Sequence, residues 1–168
     1  GTLGGLVRAD QTGEGDHVDV SMLGTLTSLI ACEPFDAFEA IGLPLRTGSF
    51  VPRLAPFGNF PTTDGWIAVC GPTDAFMRGV ARAMGSPELA DDPRFASRDA
   101  RVANADALHS LISEWTSGRT QAEAVAALEG NGVPAGGIRT PAEAVRDPRV
   151  LDRGDVVRFT RDYADKGV

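Results

Sequence analysis

Cysteine, histidine and positive charge are scarce in this sequence of 168 residues, and each shortage excludes a class of protein. The two cysteines allow at most one disulfide, far short of the framework of a small secreted protein. The formal net charge is -7, which repels a phosphate backbone, so we expect no nucleic-acid partner. An acidic chain can still bind a phosphorylated ligand through local cations or exposed N–H groups.

Long apolar runs are also missing. No stretch approaches the roughly 20 residues that a membrane span requires, and the start lacks the basic and apolar regions of a signal peptide.

His17 and His109 stand apart from Cys32 and Cys70, so no metal-ligand pattern exists, and the apolar runs around both cysteines indicate buried, reduced thiols. These features predict a cytoplasmic protein with no membrane partner, no metal and no tightly bound cofactor.

Hydrophobic residues make up 42% of the sequence, enough for a packed core, and residues 1–41 begin it with an α/β pattern. Residues 1–11 have the apolar spacing of a helix. The alternation of polar and apolar residues over His17–Met22 predicts a strand, and the apolar run Leu23–Phe38 predicts a helix that Pro34 breaks or kinks. Without neighbouring strands, we expect this region to expose a strand edge and apolar helix surface.

The second part of the chain begins after a region rich in proline and glycine, residues 42–62, which reads as a loop or linker. Asp64-Gly65 between two apolar segments predicts a hairpin. Helices are predicted over residues 74–84, 87–90, 101–116 and 120–129, an extended segment over 133–138, a helix start at 140–143 and a strand over 155–160. The expected core of this part comprises Trp66, Phe76, Val80, Leu108, Leu111, Trp115 and Leu128.

Several phrases of the sequence, in this order, resemble one known family. Residues 12–21, TGEGDHVDVS, are similar to the TGxGQxVDVS segment of the class III coenzyme A transferases. This group includes formyl-CoA transferase, carnitine CoA-transferase and α-methylacyl-CoA racemase. The other matching phrases are APFGNFPTTDGWIA at 55–68, DDPRF at 91–95 with RVAN at 101–104, GVPAG at 132–136, and DPRV at 147–150 followed by RG at 153–154.

The resemblance implies a fold of the α/β plus α+β type. Residues 1–41 would be part of a doubly wound, CoA-binding large domain, and residues 42–56 would be the linker. Residues 57–138 would form a small α+β domain of a hairpin or short sheet with several helices, and residues 139–168 would lead back to the large domain. Family members form homodimers whose subunits are interlinked like the rings of a chain.

The resemblance also implies a reaction in which coenzyme A moves between carboxylic acids through an aspartyl-CoA intermediate, with acyl-CoA and a carboxylic acid as substrates. The nucleophilic aspartate of the family would lie upstream of Gly1, so no catalytic residue is expected within this chain. Asp10 and Asp19 fall at the wrong place in the order of phrases. The chain is therefore expected to be a piece that is inactive alone.

The loop Arg46–Phe50 occupies the place of a mobile, glycine-containing loop near the active site of the transferases. We therefore expect Arg46, Gly48, Ser49 and Arg53 to be the substrate- or CoA-binding residues, with the arginines contacting phosphates. An ordinary linker with solvated cations is the alternative interpretation.

Two other functions stay open from the sequence. An acyl-CoA racemase of the same family would carry a catalytic glutamate after the hairpin, where this sequence has Thr73, which can serve as neither acid nor base, although Asp74 is adjacent. A non-catalytic module for dimerisation or binding is the alternative from another class of protein.

Overall fold

A computed structural model describes residues 1–31, 33–43 and 45–156 of the chain. The chain divides into two compact units, Gly1–Thr47 and Gly48–Val168, and each is considered separately below.

The first unit contains three helices: α1 (Thr2–Thr12), α2 (Met22–Ile30) and α3 (Phe35–Ala40). The predicted apolar helix 23–38 is thus two helices, because Pro34 interrupts it and stands at the N-cap of α3. Ser21 ends the segment before α2 and caps that helix, since its hydroxyl accepts a hydrogen bond of 3.0 Å from the Gly24 N–H.

The predicted strand His17–Met22 is wrong: residues 14–21 form no strand, and Met22 already belongs to α2. An alternating pattern specifies which face of a strand is buried, but a strand also needs a neighbour to accept its backbone hydrogen bonds. Instead, Val18 lies against the glycine positions of α1, where a Cβ on Gly5 would be 3.1 Å from a Val18 methyl group.

No residue of helices α1 and α2 is buried. This agrees with the prediction that residues 1–41 expose an apolar helix surface. Within the first unit, the exposed large apolar side chains include Leu3, Leu6, Val7, Val20, Met22, Leu23, Leu26, Leu29, Ile30 and Ile41.

The second unit is built on an antiparallel sheet of three strands: β1 (Phe57–Thr62), β2 (Gly65–Cys70) and β3 (Ala135–Gly137), in the order β1-β2-β3. The hairpin predicted from Asp64-Gly65 is confirmed, because Thr63-Asp64 joins β1 to β2 and Gly65 is the first residue of β2. Phe60 stands opposite Ile67 in the register, and both are fully buried. One face of the sheet therefore supports the core.

Six helices of the second unit are α4 (Asp74–Ala83), α5 (Arg98–Ala103), α6 (Ala105–Ser117), α7 (Gln121–Glu129), α8 (Pro141–Ala144) and α9 (Pro148–Asp152), with a 3-10 turn at Pro87–Ala90. The single helix predicted over 101–116 is wrong, because Asn104 leaves the helical region with φ −116° and ψ 29°. The capping box of Thr120 and Glu123 at the start of α7 is confirmed. The predicted strand 155–160 begins in a bend at residues 155–156, and 157–160 lie outside the described residues.

The core of the second unit lies between the sheet and α4, α6 and α7. Of the predicted core residues, Val80, Leu108 and Leu128 are fully buried, and Phe76, Leu111 and Trp115 are half-buried. The prediction for Trp66 is wrong: it is 47% exposed, because its register places it beside Ile67 but on the opposite face of β2.

Gly79 allows α4 to approach the turn after α7 closely. A Cβ at this position would lie 2.6 Å from the Asn131 carbonyl oxygen and 2.6 Å from a Val133 methyl group. Since real contacts of this kind are never so short, the packing of α4 against this turn requires glycine at position 79.

Candidate functional site

The segment Gly48–Arg53, here called the strap, runs along the outer edge of β1. The Ser49 carbonyl accepts a hydrogen bond of 3.0 Å from the Asn59 N–H, and the Val51 N–H donates one of 3.2 Å to the Phe57 carbonyl. Phe50 forms an antiparallel bridge with Gly58 between these two bonds. The strap therefore extends the sheet at its β1 edge.

Glycine is required at two positions of this arrangement. Gly48 has φ +63°, a conformation that side chains with a Cβ rarely adopt, and the strap begins there. At Gly58, a Cβ would lie 2.5 Å from the Ser49 carbonyl oxygen, so any side chain would push the strap away from β1. The strap is thus held by backbone geometry as well as by hydrogen bonds.

Phe50 anchors the strap to the core. Its ring stacks on His109 of α6 with 4.0 Å between ring centroids and 15° between ring planes, and it packs on Phe60 of β1 at 5.4 Å. His109 also meets Phe60 edge-on at 5.6 Å. Burial lowers the pKa of His109, and the Asp106 carboxylate on the same helix opposes this effect in part.

A groove of about 300 Å³ opens on the face of the sheet that points away from the core. Its middle is made of small residues, because Asn59, Ala68 and Gly136 stand opposite one another across the three strands. The groove is lined by Phe57, Gly58, Asn59, Ala68, Val69, Cys70, Pro134, Ala135 and Gly136. No charged side chain is among these residues, so the groove suits the neutral part of a ligand rather than a phosphate or carboxylate.

The strap and the groove are adjacent, because Gly58 and Asn59 of the groove pair with Ser49 and Phe50 of the strap. Cys70 lines the groove as a free, half-buried cysteine rather than a fully buried one, and Cys32 lies outside the described residues. This arrangement can bind and orient a ligand, and among the described residues of its lining it provides no carboxylate nucleophile.

The sequence-predicted binding residues divide between the two units. Gly48 and Ser49 are exposed on the strap, and Arg53 is half-buried there, with its carbonyl accepting a bond of 3.5 Å from the Arg98 guanidinium. Arg46 is exposed and belongs to the first unit. The structure therefore brings Gly48, Ser49 and Arg53 onto one segment.

Two residues near the racemase position have structural partners. Thr73 caps α4, because its hydroxyl accepts a hydrogen bond from the Phe76 N–H at 3.3 Å. The Asp74 carboxylate pairs with the Arg101 guanidinium at 2.9 Å. Both groups are therefore used in positioning the start of α4.

Arg101 is the residue that the sequence interpretation missed. Its side chain is fully buried, and its guanidinium donates to the carbonyls of Ala55 at 3.0 Å, Phe95 at 3.1 Å and Pro72 at 2.9 Å, as well as to Asp74. It joins the segment that leads into β1 to the start of α4 and thus fixes the frame on which the groove is built. Its only signal in the sequence was its place in the RVAN phrase.

Within the described part of the chain, no three histidine, cysteine or acidic residues gather as a metal site would require. The same residues include no helix with both the length and the apolar character needed to cross a bilayer.

A family model described as CoA-transferase family III matches residues 1–167 of the chain. The chain belongs to this family. Within the family, it is 34% identical over 160 residues to succinyl-CoA–D-citramalate CoA-transferase of Chloroflexus aurantiacus, covering 94% of this chain and 39% of that protein. It is 32% identical over 149 residues to succinate–glutarate CoA-transferase of Agrobacterium fabrum, covering 89% and 37% respectively.

The fold is also that of known family structures. The crystal structure of a CAIB/BAIF family protein from Brucella suis superimposes with a TM-score of 0.69 at 31% identity, over 92% of this chain and 44% of that chain. The chain thus spans about two fifths of the length of the relatives it matches. The resemblance to the class III coenzyme A transferases is therefore confirmed, one structural relative is a CaiB/BaiF family protein, and the two relatives named as CoA-transferases are enzymes.

Proposed function

We propose that this chain is part of an acyl-CoA transferase that moves coenzyme A from an acyl-CoA to a short dicarboxylic acid. The family match over residues 1–167 is the observation that carries the proposal. The names of two relatives support the choice of acid, because citramalate, succinate and glutarate are all dicarboxylates.

The reaction proceeds through an aspartate outside this chain. Its carboxylate attacks the thioester carbonyl, forms a mixed anhydride and releases the CoA thiolate, which then attacks the aspartyl carbonyl and releases the donor acid. The resulting aspartyl-CoA thioester is attacked by the acceptor carboxylate, giving a second anhydride and free thiolate. The thiolate attacks the acceptor carbonyl, so acyl-CoA leaves and the aspartate is regenerated.

The described residues contribute binding rather than the nucleophile. Gly48, Ser49 and Arg53 of the strap, together with Arg46, contact the CoA moiety, and the apolar groove beside the strap receives an uncharged portion of the substrate. Closing such a segment over the site shields an anhydride from water.

The organisation of the whole protein follows the family. Residues 1–41 complete a doubly wound large domain, residues 42–56 link it to the small domain 57–138, and residues 139–168 return to the large domain. The exposed apolar side chains of α1 and α2 then pack within the large domain. The protein works in the cytoplasm as an interlinked homodimer without a tightly bound cofactor.

The structure favours the transferase over the racemase. A racemase needs an acid or base after the hairpin, but Thr73 is committed to capping α4. Asp74 is held by Arg101, so its carboxylate is occupied by an ion pair.

The test is acyl exchange by the longer protein that contains this chain. With succinyl-CoA as donor, we expect CoA to be transferred to a short dicarboxylic acid such as glutarate or citramalate and succinate to be released in equal amount. A protein carrying Asp10→Asn or Asp19→Asn is the matched control and should retain this exchange.

Two other results would support the racemase or the non-catalytic module instead of the transferase. Epimerisation of a 2-methylacyl-CoA without exchange of acids would identify a racemase. Absence of both reactions, with dimer formation intact, would favour a non-catalytic module for dimerisation or binding.

A further inference from the structure

The contact between Phe50 and His109 joins a surface segment to a buried titratable ring. His109 is only 5% exposed, although histidine is ionisable near neutral pH. Its ring lies almost parallel to that of Phe50 at 4.0 Å, and Phe60 closes its edge at 5.6 Å. The Nε2 atom is buried and has no hydrogen-bond partner.

In this environment the neutral form of the His109 imidazole is more stable than the protonated form. A protonated ring would carry an N–H at Nε2 with no acceptor, in surroundings formed by two aromatic side chains. The strap presents Phe50 to this ring and β1 presents Phe60, neither of which titrates. From α6 itself, Asp106 is the charged group that acts on His109, and it offsets the effect of burial in part only.

We propose that the stack of His109 on Phe50 is a proton-operated latch, which holds the strap against β1 and α6 while the imidazole is neutral and releases it when the imidazole takes up a proton. His109 is not among the residues that line the groove, and its ring contacts the strap at Phe50, so it is a positioning residue that acts through Phe50.

Of the two aromatic residues that cover the His109 ring, Phe50 of the strap can move away at a lower free-energy cost than Phe60. Phe60 belongs to the central hairpin and cannot move without opening the core. The strap is attached to β1 by the Asn59–Ser49 and Val51–Phe57 hydrogen bonds and by Phe50 itself, and its Arg53 end is bonded to Arg98 of α5. Moving Phe50 outward uncovers His109 without opening the core, and Gly48, at the other end of the strap, can act as the hinge.

The sign of the pH dependence follows from the direction of the pKa. In the released state His109 is hydrated and titrates near its ordinary value of about 6.5, whereas burial lowers the pKa in the latched state. Protons therefore bind more strongly to the released state. Below about pH 6.5, the opening constant of the strap should rise by up to about tenfold for each pH unit, until the lower pKa of the latched state is reached.

The latch is a property of the strap and does not require the proposed function. Where that function holds, the same proton would loosen a CoA-binding segment, and CoA would bind more weakly at mildly acid pH because the latched state is less populated.

Hydrogen exchange of the chain, resolved by residue and corrected for intrinsic rates, tests the latch. The Asn59 and Val51 amides report on the strap, and the Cys70 amide, which donates to the Pro134 carbonyl at 3.0 Å, reports on the sheet. Between about pH 7.5 and pH 5, we expect the Asn59 and Val51 amides to lose protection, by up to about thirtyfold, while the Cys70 amide keeps its protection.

Three variants make the test specific. His109→Phe keeps an aromatic ring that cannot titrate, and His109→Gln removes the titration with a smaller side chain. In both, strap protection should no longer depend on pH, whereas Phe50→Ala should release the strap at either pH. The latch is overturned if wild-type strap protection does not change with pH, if both His109 variants keep the wild-type dependence, or if the Cys70 amide loses protection in parallel.

Discussion

Replacing Arg101 with methionine tests whether one buried guanidinium holds the second unit together. Methionine is similar in length and apolar, so the substitution leaves little cavity but removes every donor. Arg101 is 0% exposed and donates to three backbone carbonyls and one carboxylate. Two of the carbonyls belong to the buried residues Ala55 and Phe95, which would lose this partner.

The magnitude follows from these lost partners. A buried polar group left without a hydrogen bond costs about 1–3 kcal/mol, so the two buried carbonyls together imply a loss of about 2–6 kcal/mol. That is a large part of the roughly 5–15 kcal/mol by which domains are stable. Arg101→Lys should fall between wild type and Arg101→Met, because an ammonium can donate but cannot span all of these acceptors.

Asp74→Asn is the matched control. The asparagine of this variant can still accept a hydrogen bond from the guanidinium and Arg101 keeps its carbonyl partners, so Asp74→Asn should cost less than Arg101→Met, although the buried guanidinium loses its carboxylate. Urea unfolding followed by tryptophan fluorescence suits the comparison, since both tryptophans, Trp66 and Trp115, lie in the second unit. The reasoning is refuted if Arg101→Met unfolds within about 1 kcal/mol of wild type, or if Asp74→Asn costs as much as Arg101→Met.

Three further predictions follow from local geometry. Gly79→Ala should destabilise the second unit by about 1–3 kcal/mol through overpacking, whereas Gly136→Ala, whose Cβ would meet nothing within 4 Å, should be close to neutral in the same urea titration. Thr120→Ala should cost about 1 kcal/mol by removing the N-cap of α7, and an unchanged midpoint would contradict this. Hydrogen bonding to Arg149 lowers the pKa of Asp147 from 3.8 to about 2, so its contribution should be complete above about pH 4 and lost as pH falls toward 2. Acid titration of Asp147→Asn should lack this loss, and an identical titration would exclude the effect.

The sequence predicts best where a feature depends on neighbours along the chain. The hairpin at Asp64-Gly65 and the capping box of Thr120 and Glu123 are each determined within a few residues, and both appear in the structure. The interruption of the apolar helix at Pro34 is likewise a local consequence of a missing N–H.

Features that depend on residues far apart in the sequence could not be predicted from local patterns. Trp66 is apolar enough for the core, but the strand register directs it outward. Arg101 would be assigned to the surface by its charge, since its acceptors include residues 27, 29 and 46 positions away. The alternating pattern at 17–22 predicted a strand, but residues 17–21 form none and Met22 belongs to α2, because the pattern alone does not supply a pairing strand.

The candidate site shows the same division. Gly48 and Ser49 were expected to bind the substrate because the loop Arg46–Phe50 lies where the transferases carry a mobile, glycine-containing loop, and this stays a prediction. The stack of Phe50 on His109 could not be predicted, because the two residues are 59 positions apart in the sequence and no periodic pattern connects them. The groove depends on the three-strand register, which places Asn59, Ala68 and Gly136 side by side.

Trapping the covalent intermediate tests the proposed function most directly. The longer protein containing this chain is incubated with succinyl-CoA without acceptor, digested at low pH and analysed by mass spectrometry. The proposal predicts an aspartate-containing peptide from outside residues 1–168 that gains the mass of CoA less one water, and that loses it when a dicarboxylic acid is added. Exchange activity with the adduct on Asp10 or Asp19, or with no adduct on any aspartate, would contradict it.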